Sequence, residues 1–190
     1  MKYTLAYIAL VTSLTLTGCG SFLATMQSNT LEEDPGERTM GQQLEDESIE
    51  TKAVVNIHAA DNDFDQAHLV VVSYNGYILI AGQVHSEALK AQATEIVRKI
   101  RRVRRIYNEL EVASPSSAMT RTSDTWITTK VKSYLLGSSG IEGGRVKVIT
   151  ENGVVFLMGL ATQAEADRVA DIASDISGVQ RVVRIFEIID

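Results

Sequence analysis

The sequence contains only one cysteine and two prolines among its 190 residues, and no run of about eighteen apolar residues that would span a bilayer. The single cysteine excludes a disulfide framework, and with only three scattered histidines it also excludes the usual thiolate and imidazole metal sites. The net charge of −6 argues against a general nucleic-acid binder, because affinity for phosphate polymers requires a basic surface. We therefore expect no metal, no cofactor and no nucleic-acid partner.

The composition, 45% hydrophobic and 22% charged, is typical of a folded protein, but the sequence offers no catalytic centre. The three histidines have no free thiol nucleophile to activate. Asp61, Asp63 and Asp65 resemble the start of a calcium loop, yet Gln66 and Val72 stand where that loop requires glycine and glutamate. The sequence thus predicts a protein that is not an enzyme.

The amino terminus has the pattern of an export signal. The positive Met1-Lys2 start precedes an apolar stretch at residues 5–16, which is short enough for a signal-peptide core. Leu16-Thr-Gly-Cys19 then resembles the lipobox of bacterial lipoproteins, with a plain signal peptide and a chance cysteine as the alternative. The resemblance implies that residues 1–18 are removed and that Cys19 is acylated. Because Gly20 replaces the aspartate that retains such proteins in the inner membrane, it also implies an outer-membrane anchor facing the periplasm.

The segment after Cys19 is strongly acidic and has little apolar periodicity. Residues 20–47 contain seven acids and a single arginine. A like-charged segment with few apolar residues is extended and does not build a core. We therefore expect residues 19–47 to be the lipidated cysteine and a tether.

The remaining sequence is duplicated. Three blocks recur in the same order, with spacings that change only from 78 to 76 residues. They are Ser48-Ile-Glu-Thr-Lys52 with Trp126-Ile-Thr-Thr-Lys130, Asn75-Gly76 and Gly82 with Asn152-Gly153 and Gly159, and Ile100, Val103 and Arg105 with Ile176, Val179 and Arg181. The repeat predicts two domains at residues 48–112 and 123–190, joined by a linker at 113–122.

Each copy is predicted to fold as helix, strand, strand, helix, strand, which is an α+β domain with a small mixed sheet on two helices. In the second copy Ser123 or Asp124 can cap a helix, and Thr162-Gln-Ala-Glu165 is a capping box for another. An Asn-Gly pair between β-branched runs predicts a hairpin in both copies. Apolar spacing in the first predicted helix of the second copy directs Ile127, Val131, Tyr134 and Leu135 inward.

This order of elements resembles the BON domain. The resemblance rests on the Asn-Gly turn, on the glycine six residues later, and on the ending formed by Val103, Ile106, Asn108, Leu110 and Val112. The second copy departs from that ending, because Arg184 stands at the asparagine position. A lipobox followed by two such copies is similar to bacterial outer-membrane lipoproteins with tandem BON domains.

Trp126 lies outside the apolar pattern that predicts the core of the second domain. On a helical wheel it lies about 125° from the centre of the apolar stripe, so it should face outward beside Lys130 and Ser133. A half-buried indole with a wet N–H is typical of a membrane interface. From the residues alone, packing of the ring against the linker or the other domain is an equal alternative.

The resemblance favours the membrane. In tandem-BON lipoproteins the first helix of the second domain binds anionic phospholipid, and the first copy here has Ser48 where the second has Trp126. The implied phospholipid-binding residues are Asp124, Trp126, Ile127, Lys130 and Ser133.

A second candidate surface is a basic run in the first copy. Residues 98–105 contain six cations, namely Arg98, Lys99, Arg101, Arg102, Arg104 and Arg105. Part of this charge complements the helix dipole, but six cations exceed that need. The run is either a patch for lipid headgroups or an acidic protein, or a solvated face that balances the acidic tether.

These features predict a monomeric outer-membrane lipoprotein that binds anionic phospholipid and supports envelope integrity at the division site, as the resemblance implies. The alternative is a periplasmic adaptor in which the basic run docks onto cell-wall amidase regulators or the outer-membrane assembly machinery.

Overall fold

Two copies of the predicted order of elements are present. The computed structural model describes residues 34–189. Domain 1 comprises helix α1 (Met40–Ala60), strands β1 (His68–Tyr74) and β2 (Tyr77–Val84), helix α2 (Glu87–Arg98) and strand β3 (Arg105–Val112). Domain 2 comprises α3 (Ala118–Gly137), β4 (Lys147–Glu151), β5 (Val154–Ala161), α4 (Gln163–Ser174) and β6 (Arg181–Ile188). The predicted α+β class is confirmed.

Both hairpins turn at their Asn-Gly pair, as predicted. Asn75 and Asn152 have φ of 50° and 49°, the left-handed conformation that a two-residue hairpin turn requires. In each domain the two hairpin strands pair antiparallel, and the last strand pairs parallel with the second one. The second hairpin strand is therefore the central strand of a three-stranded mixed sheet.

One face of each sheet is covered by the two helices of its own domain. In domain 1, Ile49, Ala53 and Ile57 of α1 pack with residues of α2 and with Ile78 and Ile80 of β2. Domain 2 has an equivalent core, formed by Ile127, Val131, Leu135, Val148, Val155, Leu157, Ala161, Ala166, Val169, Ala173, Ile176 and Phe186.

The opposite faces of the two sheets pack against each other. This interface core contains Val72, Tyr74, Leu79 and Ala81 from domain 1, and Val154, Phe156, Met158 and Ile185 from domain 2. Because alternate residues of a strand point to opposite faces, the central strands are buried on both sides. The two domains consequently form one compact unit with helices, sheet, sheet and helices in successive layers.

Polar contacts around the interface core follow an approximate twofold relation. The Asn75 side-chain amide donates to Glu187 on the last strand of domain 2 at 2.7 Å. Its counterpart Asn152 donates to Glu111 on the last strand of domain 1 at 3.3 Å. Each hairpin turn is thereby fixed to the end of the other domain's last strand.

The first helix of each domain begins before the predicted start of that domain. Helix α1 begins eight residues before residue 48, because Thr39 and Gln42 form a capping box, so the predicted tether is helical from Met40 onward. Helix α3 begins at Ala118 with Ser117 as its cap, so half of the predicted linker belongs to the helix. The signal peptide and Cys19 lie outside the described residues.

Candidate membrane-binding surface

Helix α3 carries the predicted surface, and its start determines which side chains face outward. The Ser117 hydroxyl caps the helix by accepting a hydrogen bond from the Thr120 N–H at 3.1 Å. The predicted cap at Ser123 or Asp124 is wrong, since both residues lie inside the helix. The side that faces domain 2 consists of Asp124, Ile127, Val131 and Leu135, which are all buried.

Trp126 lies on the opposite side of α3 and is 64% exposed. This confirms the expectation that the ring faces outward, and it excludes the alternative in which the ring is buried against the linker or the other domain. An indole in water leaves a large apolar area unburied, which is typical of residues that insert into an interface. Contact of this ring with lipid stays a prediction.

Asp124 and Ile127 are buried and do not belong to an exposed surface. The prediction that these two side chains contact lipid directly is therefore corrected. Ile127 is 3% exposed and packs in the core of domain 2. Asp124 is 5% exposed, and its two carboxylate oxygens each accept a backbone N–H of the Asn152-Gly153 turn at 2.9 Å. Their position next to Trp126 in the sequence reflects folding of the helix onto its sheet.

Lys130 and Ser133 lie near Trp126 at the surface. The Lys130 ammonium group donates to the backbone carbonyl of Ser177 at 2.5 Å, which holds this cation beside the loop after α4. The Ser133 hydroxyl donates to the Thr129 carbonyl at 2.9 Å, one turn earlier in the helix. Lys130 thus supplies a positioned positive charge, while Ser133 supplies a small side chain beside the indole.

The accessible charge of α3 is entirely positive. Arg121 and Lys132 are exposed and Lys130 is partly exposed, whereas the single acidic residue of the helix is the buried Asp124. Domain 2 as a whole carries nine acids against seven bases at residues 123–190. The outer face of α3 is therefore locally basic on an acidic domain, a property that a net-charge argument does not reveal.

Three further apolar side chains extend the surface around Trp126, and sequence reasoning missed them. Met119 is 83% exposed, Tyr134 61% and Leu136 68%. The prediction that Tyr134 faces inward is wrong, because this residue lies at the border of the buried side of α3. Met119 lies in the predicted linker. Its spacing of seven residues from Trp126 places both residues on the same face of a helix.

The equivalent helix of domain 1 has the opposite charge. Its partly or fully exposed acids are Glu45, Glu47 and Glu50, and Ser48 occupies the position of Trp126. Such a helix would be repelled by an anionic leaflet. The asymmetry predicted from the tryptophan alone therefore extends to the electrostatics of the two helices.

The predicted basic run of domain 1 is only partly free. Arg98 pairs with Glu95 one turn earlier in α2. Arg104 forms a two-pronged ion pair with Glu187 of domain 2, at 2.6 and 2.7 Å. Arg105 lies over the rings of Tyr77 and Tyr107. The remaining members of the run, Lys99, Arg101 and Arg102, are exposed.

Residues 34–189 contain no cluster of three or more His, Cys, Asp or Glu side chains that would hold a metal ion. Across the same part of the chain, none of the helices has both the length and the apolar character needed to cross a bilayer. The three-aspartate segment forms a short helix in which Asp61 caps the N–H of Asp63 at 3.0 Å.

The fold defines a protein with two α-β-β-α-β domains and an exposed aromatic helix face on the second. The BON domain family matches residues 45–114 and 123–189, and the chain belongs to that family. It is similar to the outer membrane lipoprotein DolP of Haemophilus influenzae, with 39% identity over 80% of this chain and 79% of that protein. The chain is thus a tandem-BON protein of the DolP type, and this relationship supports an outer-membrane lipoprotein.

Two other relatives extend the comparison. The 21 kDa hemolysin of Actinobacillus pleuropneumoniae is 35% identical over 78% of this chain and 76% of its own length. The osmotically-inducible protein Y of Escherichia coli is 28% identical over 86% of this chain and 85% of its own length. None of the three relatives carries the name of an enzyme.

Proposed function

We propose that this protein is a lipid-anchored outer-membrane protein on the periplasmic face that binds anionic phospholipid through the outer face of α3. Acylation of Cys19 supplies the anchor, and α3 supplies a second, weaker contact. The observation that carries the proposal is Trp126, 64% exposed on a helix whose accessible charges are all positive.

The energetics agree with a weak and reversible contact. Burying about 100 Å² of the indole contributes about 2.5 kcal/mol. Two basic side chains near an anionic leaflet add about 1 kcal/mol each. The sum of about 4.5 kcal/mol corresponds to a dissociation constant near 1 mM, too weak to hold a free protein on a membrane.

Such an affinity suits a protein that already has acyl chains. Two or more chains hold a protein on the bilayer essentially permanently, so the contact through α3 is not needed for residence. It instead favours those regions of the membrane that are enriched in anionic lipid. As the resemblance to tandem-BON lipoproteins implies, the protein concentrates at the division site and supports envelope integrity there.

Vesicle binding of residues 20–190 tests the proposal, since this chain keeps every described residue and lacks Cys19. Trp126 is the single tryptophan of the chain, so its fluorescence reports its own environment. At lipid concentrations well above about 1 mM, vesicles containing phosphatidylglycerol should shift the emission to shorter wavelength and sediment the protein. Vesicles of phosphatidylcholine alone should do neither, and added salt should weaken the effect.

Two substitutions at equivalent positions provide the comparison. Trp126→Glu should abolish sedimentation with anionic vesicles. Ser48→Glu adds the same charge at the corresponding position of α1 and should leave sedimentation unchanged. The proposal is wrong if the Trp126→Glu chain still sediments like the unmodified chain.

A further inference from the structure

In each domain the chain leaves its second helix through a residue in the left-handed conformation, but the two domains use different residues. Domain 2 has Gly178 at φ 102°, and domain 1 has Arg102 at φ 68°. The repeat spacing of 76 residues makes these positions equivalent. Both lie in a turn after the helix, closed by the Val103 N–H to the Ile100 carbonyl in domain 1 and by the Val179 N–H to the Ile176 carbonyl in domain 2. Glycine is favoured at a turn position with positive φ because it has no Cβ to clash with the backbone. Domain 1 therefore carries an arginine where the fold favours glycine.

The packing of domain 2 shows why the arginine is specific to domain 1. A Cβ on Gly178 would lie 3.1 Å from the Ile127 side chain, so that position leaves little room for a side chain. The Arg102 side chain is instead 68% exposed. Residues held in sparsely populated backbone conformations persist only where the surrounding structure maintains them, and they cluster at functional sites.

Arg102 lies within an exposed group of cations that we call the basic corner, defined by Lys99, Arg101, Arg102 and Arg105. The nearest acidic oxygen to Arg102 is on Glu45, at the long distance of 3.5 Å. The guanidinium carbon of Arg105 lies 5.5 and 5.9 Å from the centres of two tyrosine rings, which orient it. In residues 34–189, Lys99 and Arg101 form no ion pair within 4.0 Å.

The basic corner and Trp126 lie near opposite ends of the paired sheets, whereas α3 itself runs along the length of its sheet. Arg105 begins β3 beside the turn of domain 1, where the Arg104 N–H donates to the Gly76 carbonyl at 2.8 Å. Glu111 lies six residues further along β3, about 20 Å away, and contacts the Asn152 turn that Asp124 of α3 also binds. About the length of a strand therefore separates the basic corner from Trp126.

We propose that the basic corner binds an acidic segment of a partner protein in the aqueous compartment. Arginine and tyrosine are the side chains most often found at the energetic centres of protein interfaces. Arginine also pairs with carboxylates in a fixed two-pronged geometry that lysine does not provide. The left-handed Arg102 places such a group at the corner at the expense of local backbone stability.

The test uses a fluorescent peptide of ten glutamates as the acidic probe, with residues 20–190 and fluorescence anisotropy at low salt. Arg102→Gly should weaken binding about threefold to fivefold, the range for one exposed charge pair. Because glycine relieves the left-handed strain, the same variant should melt at an equal or higher temperature. Arg101→Gln combined with Arg102→Gly and Arg105→Gln should abolish measurable binding.

Two controls separate a specific site from general attraction. Arg168→Gln removes one exposed positive charge from domain 2 and should leave peptide binding unchanged. A peptide of ten glutamines should not bind. The proposal is overturned if the triple variant binds like the unmodified chain, or if Arg168→Gln lowers binding as much as Arg102→Gly.

The membrane is the competing partner, and vesicles distinguish it. Trp126→Glu should abolish vesicle binding and leave peptide binding unchanged, so failure of the lipid proposal and failure of this one have different signatures. If the triple variant instead loses sedimentation with anionic vesicles and keeps peptide binding, the basic corner is a lipid contact and this proposal is wrong.

Discussion

Asp46 and Asp124 hold the same place in the two domains and bind the same kind of group. The carboxylate of Asp46 accepts the two backbone N–H groups of its Asn-Gly turn at 2.7 and 2.9 Å. The carboxylate of Asp124 accepts the corresponding groups of its own turn at 2.9 Å each. One buried aspartate thus fastens the first helix of each domain to its hairpin. This role accounts for the aspartate next to the exposed tryptophan without any contact with lipid.

Replacing Asp124 with alanine should therefore lower stability and leave the lipid surface intact. Two backbone donors would lose their charged acceptor, which costs about 3 kcal/mol. Urea denaturation of residues 20–190 measures this loss of stability. Asp171→Ala at an exposed position of α4 is the control, and its urea midpoint should change little. If Asp124→Ala abolishes vesicle binding while the urea midpoint stays unchanged, the aspartate is a lipid ligand after all.

Asp46 has a further set of partners that changes its titration. Burial raises the pKa of this carboxyl, but hydrogen bonds from Ser73, Gly76, Arg38 and Asn75 outweigh burial and hold the pKa below its usual value. A carboxyl with a lowered pKa in the folded state stabilises the fold at pH values above its unfolded pKa. That stabilisation is lost as the pH falls through the lowered pKa.

Glu187 acts in the same direction at the domain interface. Burial raises its pKa, and hydrogen bonds from Arg104 and Asn75 lower it by more, so the net shift is downward. In the unfolded state the pKa is near 3.8 for Asp46 and near 4.5 for Glu187. Stability should be constant from neutral pH down to about 5 and should fall steeply below about 4.

Urea midpoints measured between pH 7 and pH 3 check this expectation. Asp46→Asn should be less stable than the unmodified chain at pH 7, and the difference should shrink as the pH falls below the unfolded value near 3.8 and toward the lowered folded pKa. A difference that stays constant over this range would mean that the charge of Asp46 does not stabilise the fold.

The sequence predicted those features that depend on local chemistry. The Asn-Gly turns and the capping box at Thr162 are specified by neighbouring residues, and both are present. The early start of α1 is not predicted, because the acidic charge of residues 20–47 favours an extended tether. The acids at residues 45–47 suggested an extended tether, yet Arg38 binds Asp46 at 2.6 Å and allows a charged segment to be helical and partly buried.

The packing of the two sheets was not predicted, although its signal is in the sequence. Strand β5 reads Val154-Val-Phe-Leu-Met158 without alternation, and β2 has a similar run. A strand with one solvated face alternates apolar and polar residues, whereas a continuous apolar run indicates burial on both faces. The run does not say what covers the second face. Each sheet covers the other here, which only the three-dimensional arrangement specifies.

The two strand glycines of the repeat should differ in their tolerance of alanine. Gly82 has φ 114°, and a Cβ there would lie 1.9 Å from the backbone oxygen of His68 on the neighbouring strand. At Gly159 the nearest contacts would be the edge of the Phe186 ring at 3.2 Å and the backbone oxygen of Arg145 at 3.3 Å, neither of which is a severe clash. Gly82→Ala should prevent folding or cost more than about 4 kcal/mol, whereas Gly159→Ala should cost about 1 to 3 kcal/mol. Circular dichroism and urea titration decide between these outcomes, and equal effects would contradict the backbone clash.

The exposed apolar residues on either side of Trp126 should strengthen its contact with lipid. Met119 and Leu136 are 83% and 68% exposed near the two ends of α3, about 26 Å apart along its axis. A helix that lies flat at the interface would bury both side chains. Met119→Ser and Leu136→Ser should therefore each lower the affinity for phosphatidylglycerol vesicles about threefold to tenfold, because each loses about 1 kcal/mol of apolar burial. Met40→Ser is the matched control, because Met40 is 80% exposed at the start of the acidic helix α1.

If only Trp126→Glu has an effect, the indole inserts alone and α3 is tilted away from the membrane plane. If Met40→Ser weakens binding as much as Met119→Ser, the contact is unspecific and the assigned face is wrong.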